Sequence, residues 1–216
     1  MTQMDLSSYI DHTLLKPDCA LSDIDQLCKE ALQHGFASVC IPPYFVGHAA
    51  NVLQDQPVKV STVIGFPMGY ASTPSKVEEI KRAIDEGAQE IDAVVNLCAV
   101  KSGQWNYVSN DIDSMTTAAH LKGKKIKIIL ETSLLQEEEI RQLVEICLKS
   151  EVDYLKTSTG INGKASLEAV YLLRQLAGGK AKIKASGGIR SRWDAEQYVQ
   201  AGADRIGSSS GVAIVS

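Results

Sequence analysis

Several features that would restrict the function of this chain are absent from its 216 residues. No apolar run approaches the ~18 residues that a membrane span needs, and no N-terminal stretch resembles a signal peptide. The net charge of −4 gives no reason to expect nucleic acid or a membrane surface as the main partner. An anionic ligand would therefore need a local binding arrangement rather than the overall field of the protein.

Patterned cysteines and histidines are also lacking. The cysteines are odd in number, scattered and without a C-x-x-C pair: Cys19, Cys28, Cys40, Cys98 and Cys147. The four histidines are dispersed as well. We therefore predict reduced, mostly buried thiols in a cytoplasmic protein, and no metal site.

The chain is rich in alternating strand and helix patterns. Strand patterns occur at residues 8–12, 37–41, 59–65, 90–96, 125–131, 154–158, 182–186 and 205–209. Helix N-caps are predicted at Ser22, Thr73, Ser166 and Ser191, with Asp25 and Asp194 completing capping boxes at Ser22 and Ser191. One helix is predicted at 105–120 and a short final helix after residue 210.

Eight strand–helix units without a linker predict a single α/β domain over residues 1–216, a (β/α)8 TIM barrel with a short final helix. An open doubly wound sheet would give the same alternation. The first strand, however, is not followed by the G-x-G-x-x-G turn of dinucleotide-binding sheets.

Polar side chains lie on one face of several strands. Because side chains alternate along a strand, Lys156, Lys184 and Asp92 are expected to converge at the carboxyl ends if these faces point inward. By the same alternation, Lys127 and Glu131 are expected to share the inward face of the fifth strand. An isolated lysine of this kind would ordinarily reach solvent at a strand edge, and Asp92 alone would suit a structural salt bridge.

Two lysines and a carboxylate in a desolvated pocket have a chemical consequence. Burial and a neighbouring cation both disfavour the protonated amine. A shift of the lysine pKa from about 10.4 to about 7 corresponds to ~4.6 kcal/mol. A neutral lysine can attack a carbonyl and form a Schiff base, while Asp92 moves protons.

Glycine and serine runs follow the seventh and eighth strands. Gly187 and Gly188 lie in one loop, and residues 207–211 read G-S-S-S-G in the next. Barrels often bind phosphate in these two loops through backbone N–H groups. We predict a phosphate site there, although glycine is common in turns of any α/β protein.

Six segments together resemble the deoxyribose-phosphate aldolase family, class I aldolases with a (β/α)8 fold. The segments are I-D-H-T-L-L-K-P at 10–17, V-I-G-F-P at 63–67, I-D-A-V-V-N at 91–96, K-T-S-T-G at 156–160, K-A-S-G-G-I at 184–189 and G-S-S-S-G at 207–211. They occur in order over nearly the whole chain.

The resemblance implies roles for individual residues. Lys156 corresponds to the Schiff-base lysine, Lys184 to the lysine that perturbs its pKa, and Asp92 to the proton-relaying carboxylate. The substrate-binding residues would be Asp11, Thr13, Cys40, Thr159, Gly160, Gly187, Gly188, Ser209 and Ser210. Longer members carry a lysine where this chain has Ile161, with Lys164 nearby, and a C-terminal tyrosine tail, so proton transfer here is expected to rely more on water and Asp92.

The resemblance implies reversible cleavage of 2-deoxy-D-ribose 5-phosphate to D-glyceraldehyde 3-phosphate and acetaldehyde, without a cofactor. The expected partners are these small molecules and further copies of the chain, with a homodimer favoured. Three alternatives stay open: another lysine-imine aldolase, a non-covalent phosphosugar isomerase with Glu131 as the base, and a non-catalytic sugar-phosphate-binding barrel.

Overall fold

A computed structural model describes residues 4–216 of the chain. Eight parallel strands pair in chain order, and the first strand closes the barrel by pairing with the last. The strands are β1 (Ile10–Thr13), β2 (Ser38–Ile41), β3 (Lys59–Ile64), β4 (Glu90–Val94), β5 (Lys125–Ile129), β6 (Tyr154–Lys156), β7 (Lys182–Ser186) and β8 (Arg205–Ser208). The predicted (β/α)8 barrel is confirmed.

Helices follow the strands around the outside of the barrel. They are α1 (Leu21–His34), α2 (Val46–Val52), α3 (Thr73–Asp85), α4 (Leu97–Lys101), α5 (Trp105–His120), α6 (Glu137–Lys149), α7 (Leu167–Ala177), α8 (Arg192–Gln200) and α9 (Gly211–Val215). Short 3-10 turns occur at Ser7–Tyr9, Pro43–Phe45 and Thr132–Leu134. The helix predicted at 105–120 and the short final helix are confirmed.

Several strands end earlier than their sequence patterns predict, because polar residues at their ends take loop conformations. Asn96 caps α4, its side-chain oxygen accepting from the Ala99 N–H at 3.1 Å. Glu131 adopts a left-handed conformation with φ of 59°, so its side chain no longer follows the alternation of side chains along β5. At the other end of the chain, Ser8 belongs to a 3-10 turn rather than to the first strand.

Two of the predicted helix starts are correct and two are displaced. Ser166 and Ser191 cap α7 and α8. The prediction at Ser22 is wrong: α1 begins at Leu21, and the Ala20 N–H donates to the Asp23 carboxylate at 2.8 Å. Ser72, rather than Thr73, caps α3.

The apolar core lies between the strands and the helices. Outward-facing strand residues such as Val39, Ile91 and Ile183 are buried against apolar helix faces such as that of α6. The interior of the barrel, in contrast, contains buried charged side chains. Between residues 4 and 216, no helix combines the length and apolarity that a membrane span requires.

Candidate active site

The Asp92 carboxylate lies between two buried lysines. Its Oδ2 atom accepts from Lys156 Nζ and from Lys184 Nζ, each at 2.7 Å. Residues 156 and 184 are opposite each other in the β6–β7 register, which brings the two amines to the same carboxylate. The structure thus brings together the three residues that sequence parity predicts to converge.

The other Asp92 oxygen is held from the opposite side. Oδ1 accepts from Lys127 Nζ at 2.9 Å and from the Ser61 hydroxyl at 3.3 Å. Lys127 is opposite Asp92 in the β4–β5 register and also contacts Glu90 at 2.7 Å. Both carboxylate oxygens are therefore occupied, and the carboxylate orientation is fixed.

Asp11 pairs with Lys184 and with Arg205, and it accepts a hydrogen bond from the Ser38 hydroxyl. Arg205 also reaches both Glu90 oxygens at 3.3 Å. Asp11 was predicted to line the substrate pocket. It is instead buried beneath the pocket and contacts Lys184.

The surroundings of the two lysines push their pKa values in opposite directions. Burial lowers the pKa of Lys156, and the nearby Lys184 cation adds to that effect against the attraction of Asp92. Lys184 is equally buried, but its two carboxylate partners, Asp11 and Asp92, outweigh burial and raise its pKa. The surroundings therefore favour the neutral amine at Lys156 and the cation at Lys184.

Asp92 remains a carboxylate despite its burial. Burial acts to raise its pKa, but the cations of Lys127, Lys156 and Lys184, in that order, outweigh burial and hold the pKa well below its usual range. A carboxylate in contact with an amine that loses its proton can accept and return protons during chemistry at that amine.

A cavity of about 300 Å³ lies above Lys156 at the carboxyl ends of the strands. Its charged lining residues are Lys16, Lys156 and Arg190, and no acidic residue of the described chain lines it. Asp92, Lys127 and Lys184 lie beneath it, fully buried. Lys156 is thus the member of the charged cluster that a ligand can reach.

The glycine-rich loops after β7 and β8 form one wall of this cavity. Gly187, Gly188, Gly207 and Ser209 line it, whereas Ser210 is not among the lining residues. The Ser210 N–H donates to the Ser208 hydroxyl at 2.9 Å. The backbone at Gly187 has φ of 101°, and a Cβ there would lie 2.9 Å from the Gly163 carbonyl oxygen, so this approach requires glycine.

The loop after Lys156 is anchored by Glu131. Its carboxylate accepts hydrogen bonds from the Thr159 N–H and hydroxyl. Thr159 and Gly160 line the cavity as expected, and Ile161 lies beside them, 62% exposed. Glu131 itself is fully buried and does not line the cavity. Its position is that of a loop anchor, not of a base facing a ligand.

Of the remaining predicted residues, Thr13 lines the cavity, and its hydroxyl donates to the Asp11 carbonyl at 2.8 Å. Cys40 is fully buried, and burial raises the pKa of its thiol. A larger cavity of about 820 Å³ lies beside the ends of β2 and β3 and shares residues 15–17 with the first. Its lining includes none of Asp92, Lys156 and Lys184.

Comparison with known proteins agrees with this geometry. A family described as "DeoC/LacD family aldolase" matches residues 6–216. A deoxyribose-phosphate aldolase of Desulfitobacterium hafniense (strain DSM 10664 / DCB-2) is 51% identical over 216 residues, covering 100% of this chain and 99% of that protein. The chain belongs to the DeoC/LacD aldolase family.

Two further relatives extend the comparison of this aldolase. A deoxyribose-phosphate aldolase of Thermococcus gammatolerans (strain DSM 15229 / JCM 11827 / EJ3) is 46% identical over 218 residues, covering 100% of this chain and 97% of that protein. A solved structure described as a unique tetrameric deoxyribose phosphate aldolase from Aeropyrum pernix superposes with a TM-score of 0.91 at 35% identity. It covers 97% of this chain and 89% of that one.

Sequence reasoning missed part of the charged interior of the aldolase. Glu90 and Arg205 occupy the first positions of β4 and β8, where a charged residue usually reaches solvent, so neither gave a signal. Lys16 and Arg190, which line the cavity, lie in loops whose direction the sequence does not specify. The one signal available for this part of the interior was the alternation of side chains along the fifth strand, which indicated an inward position for Lys127.

We predict that Gly207→Ala impairs aldol cleavage about 10- to 100-fold, because small displacements of catalytic groups carry such costs. A Cβ at Gly207 would lie 2.8 Å from Ser186 Cβ and 3.2 Å from Lys184 Cε, which forces Lys184 to move. Gly47→Ala in α2 is the matched control, since its Cβ meets nothing within 4 Å. Steady-state kinetics with thermal unfolding measure both variants, and an unchanged kcat in Gly207→Ala would contradict the prediction.

Proposed function

We propose that this aldolase cleaves 2-deoxy-D-ribose 5-phosphate reversibly to D-glyceraldehyde 3-phosphate and acetaldehyde, through an imine on Lys156. One observation carries the proposal: Lys156 lines the cavity, while Asp92 and Lys184, its charged partners, lie fully buried beneath it. The names of the relatives support the choice of substrate. We further propose that the whole chain acts as one catalytic domain.

The first step in cleavage is attack of the neutral Lys156 amine on the C1 aldehyde of the open-chain sugar. The lowered pKa of Lys156, caused by burial and the nearby Lys184 cation, favours the free electron pair that this attack needs. Loss of water from the resulting carbinolamine requires a proton on the leaving hydroxyl. Asp92, 2.7 Å from the Lys156 nitrogen, is placed to pass protons between that nitrogen, Lys184 and water.

Carbon–carbon cleavage follows from the protonated imine. A base removes the proton of the C3 hydroxyl, the C2–C3 bond breaks, and its electron pair moves into the imine to form an enamine on Lys156. Glyceraldehyde 3-phosphate leaves with the new C3 carbonyl. Protonation of the enamine at C2 and hydrolysis release acetaldehyde and the free lysine. The imine is the electron sink, so the proposed reaction includes no cofactor.

The phosphate of the substrate would bind at the wall formed by Gly187, Gly188 and Ser209. Both glycines have positive backbone φ values and line the cavity, and glycine-rich turns of this kind commonly bind phosphate through backbone N–H groups. Arg190 and Lys16 add two exposed cationic side chains at the same cavity. A dianionic group is therefore favoured here although the protein as a whole carries a net charge of −4.

The alternatives are less well supported. An isomerase would need a carboxylate base facing the cavity, and Glu131 is instead bound to Thr159. A purely binding barrel would not need a lysine with a lowered pKa at the cavity floor. An imine aldolase for another phosphorylated sugar would use the same residues, and the names of the relatives favour 2-deoxy-D-ribose 5-phosphate over it.

Borohydride reduction in the presence of acetaldehyde is expected to leave a two-carbon ethyl adduct on Lys156, located by peptide mass mapping. Lys156→Met should give no adduct at this position and lose activity by about 10³-fold or more, because the nucleophile is removed. Lys182→Met, which changes an exposed lysine of β7, serves as the control. An adduct on Lys184 would reverse the two roles, and the absence of an adduct in folded protein would contradict imine chemistry.

Arg190→Met is expected to raise KM for 2-deoxyribose 5-phosphate about 10-fold, since a charge-assisted contact to phosphate is lost. KM for unphosphorylated 2-deoxyribose should stay unchanged. Lys180→Met is the matched control, because it removes the same charge from an exposed position between α7 and β7, at the opposite end of the barrel. An equal change in KM for both sugars would exclude a role of Arg190 in phosphate binding.

We also infer that the aldolase forms a homo-oligomer. The support is its relation to the Aeropyrum pernix structure, which is described as tetrameric, and the exposed aromatic residues Tyr44 and Tyr70 beside the larger cavity. A dimer is the expected state, because barrels of this size often dimerise. Light scattering at several protein concentrations distinguishes dimer from tetramer, and a monomeric mass throughout would overturn the inference.

A further inference from the structure

Lys127 is a third lysine of the charged cluster, and the reaction described above does not use it. It is fully buried and does not line the cavity, so it cannot touch a substrate. Its Nζ lies 2.9 Å from Asp92 Oδ1, 2.7 Å from Glu90 Oε2 and 3.4 Å from the Ser61 hydroxyl. A buried ammonium with two carboxylate contacts is held by strong, directional interactions.

We propose that Lys127 is a positioning residue that fixes Asp92 and keeps Lys156 neutral through the charge balance of the barrel interior. By binding Oδ1 from below, Lys127 directs Oδ2 toward Lys156 and Lys184. The inference rests on the proposed function in taking Lys156 as the nucleophile.

Charge balance is the first step of the argument. The buried cluster contains three carboxylates, those of Asp11, Glu90 and Asp92, and four cationic side chains, those of Lys127, Lys156, Lys184 and Arg205. With Lys156 neutral, three cations face three carboxylates. With Lys156 protonated, the cluster carries an excess positive charge in a desolvated environment, which is unfavourable.

Removing the charge of Lys127 reverses this preference. Lys184 and Arg205 would then face three carboxylates, and the excess negative charge would attract one more proton. The Lys156 amine is the most basic group that can take it, so its protonated form becomes the favoured one. Lys127 therefore has an effect on a nucleophile that is not among its own hydrogen-bond partners.

Other groups around the cluster do not alter this direction. The titratable or charged side chains that face it from the strands are Asp11 (β1), Cys40 (β2), Lys59 (β3), Glu90 and Asp92 (β4), Lys127 (β5), Tyr154 and Lys156 (β6), Lys182 and Lys184 (β7) and Arg205 (β8). Lys59 and Lys182 are exposed to solvent on part or all of their length and are screened. The Cys40 pKa is raised, so its thiol is uncharged at neutral pH.

The test measures the basicity of Lys156 without any substrate. Cyanate carbamylates only the unprotonated amine. The labelling of Lys156, followed by peptide mass mapping over a range of pH, therefore gives a midpoint, the pH at which labelling is half-maximal. In Lys127→Met the midpoint should move upward by about one pH unit or more. Lys180→Met removes an exposed lysine between α7 and β7 as the matched control and should leave the midpoint in place.

Two further variants make the sign of the effect decisive. Glu90→Gln removes a carboxylate, so the Lys156 midpoint should move downward. The double variant Lys127→Met/Glu90→Gln restores the balance and should bring the midpoint back toward that of the parent, while its kcat stays reduced because Asp92 has lost its lower contact. A merely structural role for Lys127 would lower activity without these opposite shifts.

An unchanged midpoint in folded Lys127→Met overturns the inference. If that variant does not fold, Glu90→Gln decides: a downward shift supports the charge balance, and no shift overturns it. The labelling is independent of turnover. A failure of the proposed function would instead appear as the absence of the borohydride adduct in the parent protein.

Discussion

The shared carboxylate of Asp92 is the interaction on which the active site depends. Three lysines donate to it, two of them to the same oxygen atom. Without the carboxylate, the neighbouring ammonium groups would repel one another in a desolvated space. The contacts come from β4, β5, β6 and β7, so they form only when these strands pair in the barrel. The same strand registers therefore determine both the fold and the geometry of the site.

The difference between Lys156 and Lys184 comes from their partners. Both are buried and both contact Asp92, but Lys184 also pairs with Asp11, whereas Lys156 lines the cavity. One additional carboxylate therefore raises the pKa of Lys184, whereas burial lowers that of Lys156. The difference between two chemically identical side chains is thus an electrostatic consequence of position. The buried charged cluster lies on the strands, and most of the cavity lining lies on the loops above them.

Much of the fold and part of the site could be predicted from sequence because local signals were strong. The eight strand patterns, the cap at Ser166 and the capping box at Ser191 are local features, and each is confirmed. The predictions failed where a tertiary contact overrode local preference. Glu131 does not continue the alternation of β5, and its carboxylate binds the Thr159 N–H. The cap predicted at Ser22 failed for a local reason, because the Asp23 carboxylate accepts from the Ala20 N–H and the helix begins at Leu21.

Local sequence patterns were enough to predict the order of eight strand–helix units and the position of Lys156, Lys184 and Asp92 on inward strand faces, because alternation and helical periodicity are properties of neighbouring residues. The folded barrel was needed to show that Asp11 lies beneath the cavity, that Lys127, Glu90 and Arg205 belong to the buried charged cluster, and that the pKa of Lys156 is lowered while that of Lys184 is raised. Those outcomes depend on distances and burial between residues far apart in the chain, and a pKa is set by such surroundings rather than by residue identity.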